Sequence, residues 1–181
     1  MRVITGSARG RKLKTLEGLD VRPTTDRVKE AVFSIVQFQV PGAVVLDLFA
    51  GSGQMGIEAL SRGAKLAVFV DSDRRAQAVI KENLELTGFT ASSRIAGMEA
   101  QTFLLSARGP FDIAFLDPPY RKGLLDEVLP VLAGKMAENG IILCEHGADE
   151  ILPDTAGNFV RAKDYRYGKI VVTAYRLPQA E

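Results

Sequence analysis

The chain has 181 residues, 46% of them hydrophobic and 25% charged, with one Cys and one His, which suits one soluble domain that buries about 70% of its unfolded surface without staples. No apolar stretch approaches the ~20 residues that cross a bilayer, and a single thiol excludes an intramolecular disulfide and any multi-cysteine zinc site. The net charge of +1 hides an asymmetry: residues 1–40 carry eight Lys/Arg against four acids, and the first fourteen hold five basic groups and no acid, as expected of a surface that meets phosphates or of a solvated edge hairpin.

The opening "MRVITGSARGRK" is charged and has no apolar core of signal-peptide length, so a cytoplasmic chain is expected. "RVITGSARGRKLKT" alternates apolar and polar residues around Gly6 and Gly10, which predicts a small basic hairpin or a pair of short strands. The period then changes. Val28, Ala31, Val32, Ile35 and Val36 fall on one face of a helix, with Thr25 or Asp26 at its cap and Pro41-Gly42 at its end. From there strands and helices alternate: "AVVLDLF" is a strand, "GSGQMGIEALSRGA" turns from glycines into a helix, "LAVFVD" is a second strand, and "SDRRAQAVIKENLELTG" is a helix with Ala76, Val79, Ile80 and Leu84 on one side. "SRIA" is a weaker third strand, "EAQTFLLSA" a short helix, "FDIAFLD" a fourth strand, "GLLDEVLPVLAGKM" a helix interrupted at Pro130, and "GIILCEH" a fifth strand.

Strands that are apolar throughout are buried on both faces, and helices between them imply parallel crossovers. In "NFVRAKDYRYGKIVVTAYRL" two strand-like runs flank Tyr167-Gly168 with no helix between them, so an antiparallel hairpin should close one edge. The predicted fold is therefore α/β: a doubly wound, mostly parallel sheet in a single domain over residues 1–181, with a C-terminal antiparallel hairpin and a basic extension over residues 1–23.

Gly51, Gly53 and Gly56 in "GSGQMG" match GxGxxG, and Asp71 follows Gly51 by twenty residues at the tip of the next strand. Glycines let the turn approach a ligand closely, and the acid can accept hydrogen bonds from both hydroxyls of a ribose. Two ligand classes fit, a dinucleotide and an adenosine that carries no pyrophosphate. Asp47, near the carboxyl end of the first strand, separates them, because it would repel a pyrophosphate and attract a sulfonium or ammonium cation.

The fourth strand ends in "LDPPY", where two prolines fix two φ angles and remove two backbone donors. By the topology rule for open sheets this corner lies beside the glycine loop, outside the carboxyl ends of the strands. An amine on an aromatic ring is a poor nucleophile because its lone pair is delocalised. Two acceptors that hold its N–H bonds toward tetrahedral geometry localise that pair. Asp117 can supply one through its side chain and Pro118 the other through its carbonyl, while Pro119 aims that carbonyl and Tyr120 offers a ring for base stacking worth ~1–3 kcal/mol. Positioning and electrostatics then suffice without a His, Cys or metal nucleophile, and no metal ligand set is read. His146 and Cys144, on either side of Glu145, are read as structural.

At these residues the sequence resembles the class I, S-adenosylmethionine-dependent methyltransferases, and "DPPY" resembles the motif of those that modify exocyclic amines. "RVITGSARGRKL", "VRPTTDRVKEAVFSIV", "VLDLFAGSGQMGIEALSRGA", "FLDPPY" and "YRYGKIVVTAY" together are similar to the RsmD family, which methylates a guanine N2 amine in small-subunit (16S) ribosomal RNA. The resemblance implies that Asp47, Gly51 and Gly53 line the methionine part of S-adenosylmethionine, with Phe49 a core or cofactor-wall residue. It implies that Asp71 takes the ribose, and that Glu99 and the Ala100 N–H meet the adenine, Glu99 standing where Asp or Asn is commoner. Asp117, Pro118, Pro119 and Tyr120 would hold the target base. Arg22, Thr24, Thr25 and Arg27 would lie over the mouth, and Arg2, Arg9, Arg11, Lys12 and Lys14, with Arg22 and Arg27, would meet RNA phosphates. The implied partner is ribosomal RNA or a small-subunit particle, and the expected state is a monomer away from membranes. Three other readings stay open: an adenine-N6 methyltransferase acting on DNA or RNA, an NAD-dependent oxidoreductase disfavoured by Asp47 and "DPPY", and a non-catalytic RNA-binding assembly factor that retains the pocket.

Overall fold

The computed structural model describes residues 1–16 and 24–180. Helix α1 (Asp26–Val36) leads into an alternation of β1 (Val44–Leu48), α2 (Gln54–Ser61), β2 (Leu66–Val70), α3 (Arg74–Thr87), β3 (Ser93–Ala96), α4 (Ala100–Ser106), β4 (Phe111–Leu116), α5 (Leu124–Ala133) and β5 (Met136–Gly147). Three further strands follow, β6 (Thr155–Ala156), β7 (Phe159–Tyr167) and β8 (Ile170–Arg176). Together they form one eight-stranded sheet in the order β3-β2-β1-β4-β5-β8-β7-β6. The first five strands pair in parallel and the last three antiparallel. Strand β1 thus has β2 on one side and β4 on the other, so the loops leaving β1 and β4 meet at the point where the winding reverses.

Alternation along the strands gives the sheet two buried faces. Val45, Ile113, Phe115 and Leu143 pack with Val28, Phe33, Ile57 and Ile80, which puts α1, α2 and α3 on one face. Leu46, Leu48, Ala114, Leu116 and Ile142 pack with Leu104 and Leu129, so α4 and α5 cover the other. Phe33 is wholly buried, with its ring centroid 5.2 Å from that of Phe115, and this contact ties α1 to β4. Burial of such a side chain is worth about 1.5–3 kcal/mol. Thr25, not Asp26, caps α1 by accepting from the Val28 N–H at 3.3 Å. Among the described residues no helix is long and apolar enough to cross a membrane.

Three details depart from expectation. Helix α5 runs through Pro130 without interruption: the proline removes the bond to the carbonyl of Asp126, and both residues are exposed, so that carbonyl is not stranded in the core. Strand β5 begins at Met136, earlier than its apolar run, because Met136 pairs with Phe111 before a bulge takes up the polar residues and the regular register resumes at Ile113↔Ile141. The C-terminal hairpin also does more than close an edge. Strand β8 inserts beside β5, and β6 lies outermost.

The N-terminal segment forms one antiparallel bridge, Arg2↔Lys12, rather than two strands, and it is fastened to the body. Val3, Ala8 and Leu13 are buried in the core shared with α1 and α2. Glu58 of α2 accepts from the Ile4 N–H at 2.7 Å and the Thr5 N–H at 3.1 Å, while Ser61 Oγ donates to the Thr5 carbonyl at 2.6 Å and accepts from the Ala8 N–H at 3.0 Å. Gly6 has φ +92°, and a Cβ there would lie 1.8 Å from the Ser61 carbonyl oxygen, so only glycine lets the turn sit this close.

Candidate active site

The chain leaves β1 through a strained turn. Phe49 takes φ +65°, a conformation that is costly for a side chain of this bulk and that clusters at ligand sites. The three glycines of the following loop serve different ends. Gly51, with φ +58°, faces open space apart from Leu16 at 4.0 Å, which leaves its backbone accessible to a ligand. Gly53, with φ +80°, caps α2 and would crowd Phe69 and Ile80 at 3.2 Å if it carried a Cβ. At Gly56 a Cβ would lie 2.4 Å from the Phe69 ring, so this glycine is needed for close packing of α2 on β2. The loop is held from the N-terminal side as well: the buried Asn83 amide donates to the carbonyls of Lys14 and Ser52, both at 3.0 Å.

Acids line the tips of these strands. Asp47 is buried, and its carboxylate accepts from the Gly56 N–H at 3.0 Å. Burial outweighs that bond and, with the negative charge of Asp71 added, pushes its pKa up to about 8. Asp71 orders the two loops by accepting from the Gly51 and Asp73 N–H groups, both at 2.9 Å, one on each carboxylate oxygen. Burial raises its pKa too, with smaller contributions from Asp73 and Glu99. Glu99 is exposed in the residue before α4, and Ala100, the first residue of that helix, is buried.

The register Leu116↔Cys144 between parallel β4 and β5 makes the next residues, Asp117 and Glu145, neighbours at the sheet's carboxyl edge. Both continue the side-chain alternation of Phe115 and Leu143, on the face that also carries Asp47. Asp117 is half-buried, and desolvation, then the charges of Glu145 and Asp47, hold its pKa well above the usual carboxylate range. Pro118 is buried, Pro119 exposed and Tyr120 half-buried. The last three line a cleft of about 240 Å³ together with Glu145, Leu124 and Leu152, while Asp117 is not among its lining residues. Across the cleft, Tyr120 Oη donates to Glu145 Oε1 at 3.3 Å, and Thr24 Oγ1 donates to Glu145 Oε2 at 3.5 Å. Thr25, whose hydroxyl caps α1, is exposed.

Sequence reasoning passed over Glu145, because one acid at the end of an apolar strand carries no motif; only the strand register brings it to Asp117. His146 and Cys144 are buried on either side of it. The His146 ring contacts the Gly147 carbonyl at 3.0 Å and Thr173 Oγ1 at 2.7 Å, which fits the structural role read for it.

Of the basic residues, Arg22 lies outside the described residues. Arg2, Arg9, Arg11, Lys12, Lys14 and Arg27 are all exposed. Arg2 pairs with Asp26 at 3.1 Å and Lys14 with Glu82 at 2.5 Å, whereas Arg9, Arg11, Lys12 and Arg27 make no ion pair among the described residues.

The arrangement fits a cationic adenosine derivative on grounds internal to the structure. Three acids with raised pKa lie at one sheet edge, and Gln54 Oε1, at the head of α2, is buried without a donor among the described residues. A cation with N–H groups satisfies both the unbalanced charge and the orphan acceptor, and a pyrophosphate satisfies neither.

Comparison with known proteins agrees. The family model described as "Conserved hypothetical protein 95" matches residues 1–176. The chain is 37% identical over 183 residues to the Escherichia coli K12 protein named ribosomal RNA small subunit methyltransferase D, covering 100% of this chain and 90% of that one. It is 34% identical over 184 residues to the Haemophilus influenzae protein of the same name, covering 99% and 93%. Among solved structures, a hypothetical protein of Thermus thermophilus superposes with a TM-score of 0.84 at 31% identity, covering 98% of this chain and 99% of that one. With the glycine loop, the DPPY corner and the docked basic segment in one frame, the chain belongs to the RsmD family, the family that this model describes.

Proposed function

We propose that this protein transfers a methyl group from S-adenosylmethionine to the exocyclic N2 amine of a guanine in small-subunit ribosomal RNA, acting as a monomer in the cytoplasm. It is an S-adenosylmethionine-dependent ribosomal RNA methyltransferase. The guanine amine, the site assignments and the solution state are our reading. The observation that carries it is the adjacency, at the β1/β4 reversal, of a loop shaped for an adenosine cation and a rigid corner that lines an open cleft.

S-adenosylmethionine, when bound, supplies a methyl carbon on a positively charged sulfur. Asp47 and Gln54 would face its cationic part, Gly51 and Gly53 would admit it, Phe49 would wall it, Asp71 would hold the ribose, and Glu99 and the Ala100 N–H would meet the adenine. The raised carboxyls would return to their ionised forms beside a positive charge. Asp117 and the Pro118 carbonyl then accept the two N–H bonds of the base amine, Pro119 fixes that carbonyl, and Tyr120 stacks on the ring. So held, the amine's lone pair would be localised toward the methyl carbon that S-adenosylmethionine would supply, and Asp117 or water would take the proton the nitrogen sheds. Arg9, Arg11, Lys12 and Arg27 meet phosphates, with Arg2 and Lys14 contributing less because each already has a carboxylate partner.

The test is incubation with labelled S-adenosylmethionine and either naked small-subunit RNA or particles from cells that lack the enzyme, followed by nucleoside mapping. N2-methylguanine is the expected product; N6-methyladenine, or no transfer to either substrate, would overturn the reading.

A further inference from the structure

We propose that the β7–β8 hairpin is a second RNA-contact arm, in which Tyr167 stacks a nucleobase near the target and Lys163, Arg166 and Lys169 hold phosphates. This rests on the methyl-transfer reading above and adds to it the part of the chain that grips RNA on the far side of the site.

Strand register sets the hairpin at the mouth. Gly147 at the end of β5 pairs with Ile170, and Ile170 with Tyr167, so the turn falls at the carboxyl edge where β4 ends in DPPY. The Ala148 N–H donates to the Lys169 carbonyl at 3.0 Å, which ties the turn to the loop whose Glu150, Ile151 and Leu152 wall the cleft. A Cβ on Gly147 would lie 2.7 Å from Asp149 Oδ1 and 3.8 Å from Tyr120 Cδ2, so the ring assigned to the target base borders the same row of residues. Two strand spacings of about 4.8 Å separate Tyr167 from Gly147, a span of ~10 Å that roughly three stacked nucleotides cover.

Tyr165 and Tyr167 pack on the core cluster that holds Val28, Phe115 and Val172, which puts them on the α1 face of the sheet. The N-terminal basic segment docks on that face too, through Glu58 and Ser61 of α2, which packs on β1 and β2. In the strand order β2-β1-β4-β5-β8-β7 the two arms therefore flank β4 and β5, the strands from which the cleft is built. A run of phosphates laid across the cleft meets both.

The charges agree. Lys163, Arg166 and Lys169 are exposed and make no ion pair among the described residues. Lys163 Nζ lies 4.9 Å from the Tyr165 ring centroid, and Arg166 Nε donates to the Gly168 carbonyl at 3.3 Å within the turn. The acids of this edge are engaged: Asp149 pairs with Arg121, Glu150 accepts from the Gly147 and Arg121 N–H groups, and Asp164 accepts from Thr173 Oγ1 at 2.8 Å. Tyr167 is half-buried, and its hydroxyl, raised in pKa by desolvation and then by Tyr165, stays neutral and repels no phosphate. An aromatic ring set among such cations is the composition that binds single-stranded nucleic acid without reading its sequence.

The experiment measures affinity for small-subunit RNA over a range of salt concentrations, together with kcat and KM for methyl transfer. It compares the wild-type chain with the joint replacement of Lys163, Arg166 and Lys169 by Gln, with Tyr167→Leu and with Tyr167→Phe. The joint variant should reduce the slope of log affinity against log salt by roughly 2, at about 0.7 for each single-strand phosphate, and raise KM for RNA more than it lowers kcat. Tyr167→Leu should weaken RNA binding about tenfold at every salt concentration, the order of one base stack, and Tyr167→Phe, which keeps the ring, should rescue it. Cofactor affinity and melting temperature report whether each variant is folded. An unchanged slope in the joint variant would overturn the assignment whether or not Tyr167→Leu folds, as would full RNA affinity in a folded Tyr167→Leu or an equal loss in Tyr167→Phe. Failure of the wild-type chain to bind and methylate the RNA would instead remove the methyl-transfer reading, and the assignment with it.

Discussion

Helix α2 has buried charge on two sides, and the two sites treat it in opposite ways. On one side Glu58, wholly buried, meets Lys29 at 3.7 Å and Arg62 at 3.2 Å and also accepts from two backbone N–H groups. Lys29 in turn donates to the Arg2 carbonyl at 2.6 Å, and Arg62 lies 4.6 Å from the Phe33 ring centroid. On the other side Asp47, also buried, has the Gly56 N–H, and among the described residues the charges that act on it are those of other acids. The first cluster carries its opposite charges within the chain and serves to dock the basic segment. Among the described residues the second has no positive charge paired with it, which under the proposed function would suit a cationic ligand. Burial alone therefore does not nominate a functional acid; burial with no counter-charge among the described residues does.

The largest effect should come from the deficient side. Asp117→Ala should lower methyl transfer by about 10²–10³-fold or more while cofactor affinity changes little, as read by single-turnover kinetics and calorimetry. Normal turnover in this variant would remove the mechanism. On the balanced side, Glu58→Ala strands a buried Lys29 and should cost about 3–5 kcal/mol in urea unfolding. A loss under about 1 kcal/mol would mean that the two sites do not differ as argued.

The pH dependence sharpens the contrast. Asp47, Asp71 and Asp117 have folded pKa values raised above those of the unfolded chain, so the folded state holds protons that the unfolded state has released. Their burial therefore lowers the stability of the ligand-free protein as pH climbs from the ordinary carboxylate range to about 8. A bound sulfonium reverses this, so affinity for S-adenosylmethionine should rise over that window more than affinity for the uncharged sulfur of S-adenosylhomocysteine. Asp47→Asn should flatten the stability profile relative to the wild-type chain and shrink the preference for the sulfonium by roughly tenfold, on the order of one partly screened charge pair. An unchanged preference at every pH would show that Asp47 is only structural.

The smallest effect lies at the surface. Joint replacement of Arg9, Arg11 and Lys12 by Gln should reduce the slope of log affinity for RNA against log salt by roughly 2 to 3 and leave cofactor binding intact. Replacement of the carboxylate-paired Arg2 and Lys14 should reduce it less. Identical slopes in all three proteins would make the patch a solvated face.

The order of elements was legible in the residues because each strand and helix carries its own period, and the glycine loop and DPPY could be picked out because both are contiguous. Asp47, Asp71 and Asp117 could be nominated from their places at strand ends. What the chain could not disclose depends on neighbours distant in sequence. Pro130 is tolerated because its position faces water, and the start of β5 is set by a bulge against β4. Gly6 is required by the Ser61 carbonyl more than fifty residues away, and the basic segment proves to be seated on Glu58. Glu145 comes to lie beside Asp117 through a strand register that no local pattern encodes. Local periodicity and contiguous motifs are properties of the chain and can be read along it, whereas the balance of buried charge is a property of three-dimensional neighbourhood, since a carboxylate's environment is fixed by whatever the fold packs against it.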